Sequence, residues 1–245
     1  MKIAAIIPAR YASTRFPGKP LAPILGIPMI ERVYCNVSKA RAIQDVWVAT
    51  DDPRIEEVVR GFGGKCIMTS KEHQTGSDRL AEAAEKLDVD LVINVQGDEP
   101  LIKGDALDLL VDLFMQDSSL QMATLKTKIS DLEEIHNPNV VKVISNKYGD
   151  AIYFSRNPIP YNRDGRNVEY YKHIGVYAYT KEFLLKFVSM PQTELELAES
   201  LEQLRALENG VKIKVAETNI KLIGVDTPQD IPKVEAFLIA AGEKS

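Results

Sequence analysis

The chain has 245 residues, 45% of them hydrophobic, which allows a sizeable core and excludes global disorder. Its formal net charge of −5 argues against a nonspecific nucleic-acid binder, which needs a basic face, while leaving room for a local cationic pocket. No apolar run is long enough to span a bilayer, Met1-Lys2 runs straight into a strand without a signal-peptide layout, and Cys35 and Cys66 read as buried thiols in a reducing compartment, so the expectation is a cytoplasmic protein with no membrane partner.

The first strand is expected near residues 2–8, where Ile3-Ala4-Ala5-Ile6-Ile7 has the length and composition of a buried parallel strand. It empties into a loop carrying the cations Arg10, Arg15 and Lys19, stiffened by Pro17 and Pro20 and able to turn at Gly18. Open α/β sheets bind ligands at the carboxyl ends of their strands. A cationic loop there suits a polyanion, a nucleoside triphosphate above all; the alternative is an ordinary solvated basic loop. A helix follows near 28–40, with Pro28 in its first turn. The strand at 45–50 ends in Asp51-Asp52-Pro53, which starts a helix closed by Gly61, Gly63 and Gly64. Cys66-Ile67-Met68 is a short strand, and Gly76-Ser77-Asp78 opens a helix through Leu87. The strand at 91–95 enters Gln96-Gly97-Asp98-Glu99-Pro100.

The second half changes character. Residues 140–145 and 151–155 alternate about a turn at 147–150 and read as a β-hairpin. A strand at 173–179, a helix near 194–208 stopped by Gly210, and a strand at 212–216 follow. Asp226-Thr227-Pro228 begins the last helix with an acidic cap. There is no linker and no repeat, so the expectation is one α/β domain over 1–245, Rossmann-like, with a mostly parallel central sheet, helices on both faces, and a β-rich insertion near 140–205.

Two acids stand out. Asp98 lies just past a buried strand, on the same edge as the cationic loop, where a carboxylate suits Mg²⁺ together with substrate phosphates; Glu99 reads as its solvated neighbour. Asp226 also follows a strand and is either a second metal ligand or a helix N-cap. Ser77-Asp78-Arg79 opens a helix whose N–H groups, with Arg79 beside them, suit an anion or a base. The chain has no Walker A loop, no G-x-G-x-x-G, no G-x-S-x-G, no H-E-x-x-H and no zinc spacing among His73, His136 and His173. P-loop ATPases, dinucleotide oxidoreductases and the common hydrolases are therefore poor readings.

Eight blocks then bring in a resemblance. Pro8-Ala9-Arg10 through Lys19-Pro20-Leu21 with Gly26-Ile27-Pro28-Met29-Ile30 is similar to the signature loop of sugar-activating nucleotidyltransferases. With Val48-Ala49-Thr50-Asp51, Thr75-Gly76-Ser77-Asp78-Arg79, Asn94-Val95-Gln96-Gly97-Asp98-Glu99-Pro100, Tyr153-Phe154-Ser155-Arg156, Lys172-His173-Ile174-Gly175-Val176-Tyr177, Leu201-Glu202-Gln203-Leu204-Arg205 and Gly224-Val225-Asp226-Thr227-Pro228 in order, the chain resembles the 3-deoxy-manno-octulosonate cytidylyltransferase, or CMP-Kdo synthetase, family. The resemblance implies the nucleotidyltransferase version of the expected fold, a homodimer, and a reaction of CTP with the acidic eight-carbon keto-sugar Kdo, giving CMP-Kdo and pyrophosphate for lipopolysaccharide biosynthesis. It implies Arg10 and Lys19 on the triphosphate, Ala9, Thr50, Ser77, Arg79 and Gln96 around the cytidine, and Asp98 and Asp226 on Mg²⁺. Arg156, His173, Tyr177, Glu202 and Gln203 would hold the sugar. The short stretch at 162–171 and the run Leu195-Glu196-Leu197-Ala198-Glu199-Ser200 depart from the family pattern beside that sugar site. They leave open the 8-amino analogue of Kdo, whose ammonium would call for Glu199 or Glu202. Further alternatives are a CMP-sialic acid synthetase and a catalytically silent nucleotide-binding protein on the same fold.

Overall fold

The computed structural model describes residues 1–12, 16–73 and 75–243, so Arg15 of the first loop lies outside the described residues. The chain divides into two compact units, one of Met1–Asp108 with Ile220–Ser245 and one of Leu109–Asn219. The insertion expected near 140–205 falls within the second of these.

In the first unit, β1 (Ile3–Ala9) is followed by the two-residue strands β2 (Pro23–Ile24) and β3 (Ile27–Pro28), then α1 (Met29–Val37), β4 (Asp45–Thr50), α2 (Pro53–Gly61), β5 (Lys65–Met68), α3 (Gly76–Glu85) and β6 (Leu91–Asn94). The four longer strands pair in parallel in the order β6-β1-β4-β5. Ala4, Ala5, Ile6 and Ile7 are fully buried, as a parallel strand covered on both faces must be. The order turns back at β1, with β4 on one side and β6 on the other, so the crevice at the carboxyl ends of β1 and β6 is the topological switch point of this sheet. Capping sets the helix starts. The Asp52 side chain accepts from the Arg54 N–H at the head of α2, and Thr75 and Asp78 form a reciprocal capping box at the head of α3. Pro28 caps α1 from outside rather than sitting in its first turn.

Helix α4 (Gly104–Gln116) carries the chain across the division between the units. In the second unit follow β7 (Met122–Lys128), α5 (Leu132–His136), β8 (Lys142–Ser145), β9 (Ala151–Ser155), β10 (Tyr171–Thr180), α6 (Lys181–Ser189), α7 (Glu194–Glu199), α8 (Gln203–Glu208) and β11 (Ile213–Glu217). Strand β7 lies between β11, which runs parallel to it, and β10, which runs antiparallel. The expected hairpin is β8–β9, its turn shaped by the Asn146 side chain, which accepts from the Tyr148 and Asp150 N–H groups. The single helix expected over 194–208 is two helices, broken where Ser200 takes a left-handed φ of 51°. Gly210, at φ 75°, stops α8 as expected. Helices α4, α5 and α6 and strand β7, like the short β2 and β3 of the first unit, have no counterpart among the expected elements.

The chain then returns to the first unit through 220–227, a 3₁₀ turn (Pro228–Asp230) and α9 (Ile231–Ala240). Ile24, Met29, Leu101, Val225, Val234 and Leu238 form a buried cluster that seats this returning segment. Cys66 is buried, and burial raises its thiol pKa to about 11, but Cys35 is exposed on α1, contrary to the expectation for both thiols. Among the described residues, no helix is long and apolar enough to cross a membrane.

Candidate active site

The first unit brings its functional side chains to one sheet edge. Ala9 ends β1 and pairs in register with Thr50, the fully buried last residue of β4. Arg10 follows, exposed on that edge. On the other side of β1, the Val95 N–H donates to the Ile6 carbonyl at 3.2 Å and leads into Gln96 and Asp98. Gly97 lets this loop approach the end of β1 closely: a Cβ at this position would lie 3.1 Å from the Pro8 carbonyl oxygen, so a larger residue would need the strand end or the loop to give by a few tenths of an ångström. The half-buried Gln96 amide donates to Asn94 Oδ1 at 3.4 Å.

Lys19 joins three segments far apart in sequence. Its Nζ donates to Asp98 Oδ2 at 2.6 Å and to the Val225 carbonyl at 3.0 Å, leaving one of its three N–H donors for a ligand. The Val225 N–H donates to the Asp98 carbonyl at 3.0 Å, so the two acid-bearing segments lie side by side, with Asp226 one residue on. Asp226 is exposed and is not the N-cap. Thr227 takes that place in a capping box with Asp230, whose carboxylate also receives the Asp226 N–H and is held down to about 2, chiefly by Lys233. Of the two roles the sequence had left open for Asp226, the helix cap is thus filled by Thr227. Glu99 differs from expectation too: one of its carboxylate oxygens is shut off from solvent, and the group lies against Gly224.

Asp98 and Asp226 offer an all-oxygen donor set, which fits Mg²⁺. Among the described residues, no group of three or more His, Cys, Asp or Glu is placed to hold a metal, so ligands beyond these two carboxylates would come from substrate and water.

At the head of α3, Ser77 is buried and Arg79 is 1% exposed. Burial lowers the Arg79 pKa, Asp51 opposes this, and the nearby Arg10 charge adds to the lowering. Arg79 Nη2 lies 3.2 Å from Asp51 Oδ1, Nη1 donates to Thr69 Oγ1, and its buried Nε–H has no acceptor among the described residues. Asp51 and Thr69 are site residues that sequence reasoning did not single out. Their signal was position, each standing just past a strand end. The Arg54 guanidinium over the Tyr11 ring, 3.3 Å from its centroid, left no trace in either local pattern.

The second unit holds the other group. The His173 ring meets Tyr177 and Phe154, with centroids 5.3 and 5.0 Å away, and its Nε2 lies 2.9 Å from Thr124 Oγ1. Thr124 has one hydroxyl hydrogen, and the Val176 and Ile174 carbonyls lie 2.8 and 3.1 Å away to accept it. His173 Nε2 therefore donates to Thr124, and the ring lone pair is on Nδ1. Burial pushes the His173 pKa down to about 3 and the Tyr177 phenol well up, with the Glu202 charge adding to the latter. Glu202 caps α8 and lies 3.8 Å from Arg205. Gln203 is 4% exposed, and its amide nitrogen has no acceptor among the described residues. Arg156 Nε donates to the Glu199 carbonyl at 2.7 Å, Nη1 to Pro138 at 2.9 Å and Nη2 to Ser200 at 3.3 Å. One N–H on each terminal nitrogen is left for a ligand carboxylate.

A parallel sheet with its phosphate-suited cations and metal-suited acids at the switch point is the architecture of an α/β nucleotidyltransferase. The comparisons agree on that fold and narrow the family. A family model described as Cytidylyltransferase matches residues 4–213, and the chain belongs to that family. A 3-deoxy-manno-octulosonate cytidylyltransferase of Geobacter metallireducens is 53% identical over 245 residues, covering 96% of each chain. That of Geotalea daltonii is 54% identical over 245 residues, covering 96% of this chain and 97% of its own. A solved CMP:2-keto-3-deoxy-manno-octonic acid synthetase complexed with CTP superposes with a TM-score of 0.94 at 44% identity, covering 98% of this chain and all of that one.

Proposed function

We propose that this chain is a CTP-dependent enzyme that activates Kdo to CMP-Kdo with release of pyrophosphate, the step that readies this sugar for lipopolysaccharide biosynthesis. The observation that carries the reading is Lys19 bound to both Asp98 and the Val225 carbonyl at the switch point of a parallel sheet. The likeness over nearly the whole chain to a synthetase complexed with CTP supports it.

Both substrates are anions, so the protein must offset their repulsion before the anomeric hydroxyl can reach the α-phosphorus. Arg10 and Lys19 neutralise the triphosphate and the departing pyrophosphate. Ala9, Thr50, Ser77, Arg79 and Gln96 surround the nucleoside, the buried Arg79 Nε–H supplying a donor for a base or ribose oxygen. Asp98 and Asp226 would hold Mg²⁺, which would supply neutralisation of phosphate charge when bound. Arg156 offers its two remaining N–H groups to the sugar carboxylate. His173, neutral at physiological pH, accepts a sugar hydroxyl at Nδ1, and Tyr177, Glu202 and the unpaired Gln203 amide take others.

Kdo is favoured over its 8-amino analogue by the state of Glu199, whose carboxylate is already occupied by the Ser155 hydroxyl at 2.6 Å and the Arg156 N–H at 2.9 Å. The reading includes a homodimer built on the second unit. Tyr148, Ile152, Leu195 and Leu197 are the exposed apolar residues that support it, whereas Ile174, Val176, Ala178 and Tyr179 are buried within their own chain. Two unpaired cysteines suit a cytoplasmic setting.

Pyrophosphate release from CTP and Mg²⁺, measured with Kdo, 8-amino-Kdo and N-acetylneuraminate side by side, tests the assignment. Release with Kdo is the expected result; a preference for either other sugar reassigns the substrate, and release with none removes the catalytic reading. Light scattering is expected to give twice the single-chain mass, and a single-chain mass at micromolar concentration would remove the dimer.

A further inference from the structure

The break between α7 and α8 is held by a knot of three charged side chains. Lys142 is fully buried, and its ammonium donates to the carbonyls of Asn137 at 2.9 Å, Val140 at 2.6 Å and Arg156. Every ammonium hydrogen is spent on main chain, so Lys142 acts as an internal cation that ties residues 137–140 to the end of the β9 segment. Arg156 spends one donor of each guanidinium nitrogen on the carbonyls of Glu199, Pro138 and Ser200. Glu199 closes the knot from the other side. Its Oε1 accepts from the buried Ser155 hydroxyl, its Oε2 accepts from the Arg156 N–H, and its own carbonyl receives Arg156 Nε. Two cations and one carboxylate share this small volume, and the two cations oppose each other while Glu199 offsets them.

The geometry has a consequence for Glu202 and Gln203. Ser200 adopts a left-handed conformation that a residue with a Cβ takes only at a cost, and its carbonyl accepts a hydrogen bond from Arg156. Glu202 caps α8 two residues later and Gln203 is its first residue. The direction in which α8 starts, and hence the aim of both side chains, follows from how the chain leaves Ser200.

We propose that Glu199 is a positioning residue for the sugar half of the site: by binding Ser155 and the Arg156 amide it holds the Arg156 guanidinium against Glu199 and Ser200, and so sets both the donors left for the sugar carboxylate and the start of α8. This rests on the reading of Arg156, Glu202 and Gln203 as sugar residues. Glu199 touches no reacting atom; its effect reaches the sugar through Arg156 and the turn at Ser200.

The test is steady-state pyrophosphate release by the full-length protein, with Kdo and CTP each varied while the other is saturating. Glu199→Gln keeps the shape and the oxygen for the Arg156 N–H but removes the charge that offsets Lys142 and Arg156. It is expected to raise the KM for Kdo about tenfold, with the KM for CTP and the unfolding midpoint close to those of the parent. Ser155→Ala removes one hydrogen bond of the same knot and keeps the inference testable if the first variant folds poorly; it is expected to raise the KM for Kdo about threefold. Because both act through one network, S155A/E199Q is expected to cost no more than E199Q alone. An unchanged KM for Kdo in E199Q, an equal rise in both KM values, or strictly additive effects overturns the positioning role while leaving the functional reading intact. A parent chain that turns over no acidic keto-sugar overturns the functional reading, and this inference with it.

Discussion

Lys19 and Asp98 stand 79 positions apart and meet at 2.6 Å, with 16% and 34% of their side chains exposed. A half-exposed ion pair of this kind contributes about 1 kcal/mol or less to stability, so its value lies in placing charge where a triphosphate would bind. Asp98→Ala is therefore expected to leave far-UV circular dichroism and the unfolding midpoint almost unchanged while lowering pyrophosphate release by about a thousandfold or more. Near-normal turnover by that variant would show that Asp98 holds no metal. The two cysteines separate just as clearly. At pH 8 a thiol with a pKa near 11 is about 0.1% thiolate, and Cys66 is also buried, whereas Cys35 is exposed. A thiol reagent is expected to modify Cys35 promptly and Cys66 only on unfolding, a sequence that mass spectrometry of a time course would read.

Among elements, α4 starts at a position where side-chain volume decides the sign of a substitution. Glycine at a helix terminus is ordinarily improved by alanine through helix propensity, by up to about 1 kcal/mol. At Gly104, however, a Cβ would lie 2.4 Å from the Ala40 N and 2.7 Å from the Lys39 carbonyl carbon, both backbone atoms that cannot swing aside. Gly104→Ala is expected to destabilise by about 2–4 kcal/mol, seen as a lower urea midpoint at unchanged m-value; a stabilised variant would mean the close approach is not real. The junction of α7 and α8 has the opposite sense. Ser200 holds a left-handed backbone, so Ser200→Gly is expected to be neutral or stabilising by up to about 1 kcal/mol, although glycine also loosens the unfolded chain. The sequence reads through 194–208 as one helix because nothing in that run breaks helical periodicity. At the break the Ser200 carbonyl accepts from Arg156, 44 positions away, a contact no local pattern records.

For the molecule as a whole, acid is the condition that exposes how charge is stored. His173 keeps its proton off down to about pH 3 in the folded state, against an ordinary 6.5, because burial disfavours the cation. The unfolded chain takes up that proton first, so folding stability falls as pH drops from about 6.5 towards 3, by at most about 1.4 kcal/mol per pH unit. Glu82 is held down to about 2, against an ordinary 4.5, with Lys86, Ser70 and His73 outweighing its desolvation; Asp230 behaves alike from an ordinary 3.8. Their contributions are complete above the ordinary values and are lost as pH falls towards 2. Urea midpoints are thus expected to decline steadily from pH 7 to pH 3, with the decline above pH 4.5 removed in His173→Gln. A profile flat between pH 6.5 and 4.5 would contradict the burial of a neutral imidazole.

Much of the first unit was legible from local pattern. The apolar run Ile3-Ala4-Ala5-Ile6-Ile7 read as a buried parallel strand near 2–8, which the structure gives as Ile3–Ala9, and the strand at Asp45–Thr50 fell on its expected bounds. Asp51-Asp52-Pro53 and Gly76-Ser77-Asp78 marked the starts of their helices, where the structure places caps at Asp52 and Thr75, because capping is a contact between near neighbours in sequence. The order of motif blocks carried the family. Other features needed the fold. Asp226 read on local sequence more readily as a cap than as a ligand until Thr227 took the cap; Cys35 is exposed and Glu99 partly shut off from solvent, each against expectation; Glu199 looked available until Ser155 and Arg156 occupied it. Periodicity and capping record what a residue does within a turn or two of its own chain. The partner of Lys19, the tautomer of His173 and the break at Ser200 depend on groups dozens to hundreds of positions away, and only the packed chain brings these within hydrogen-bonding distance.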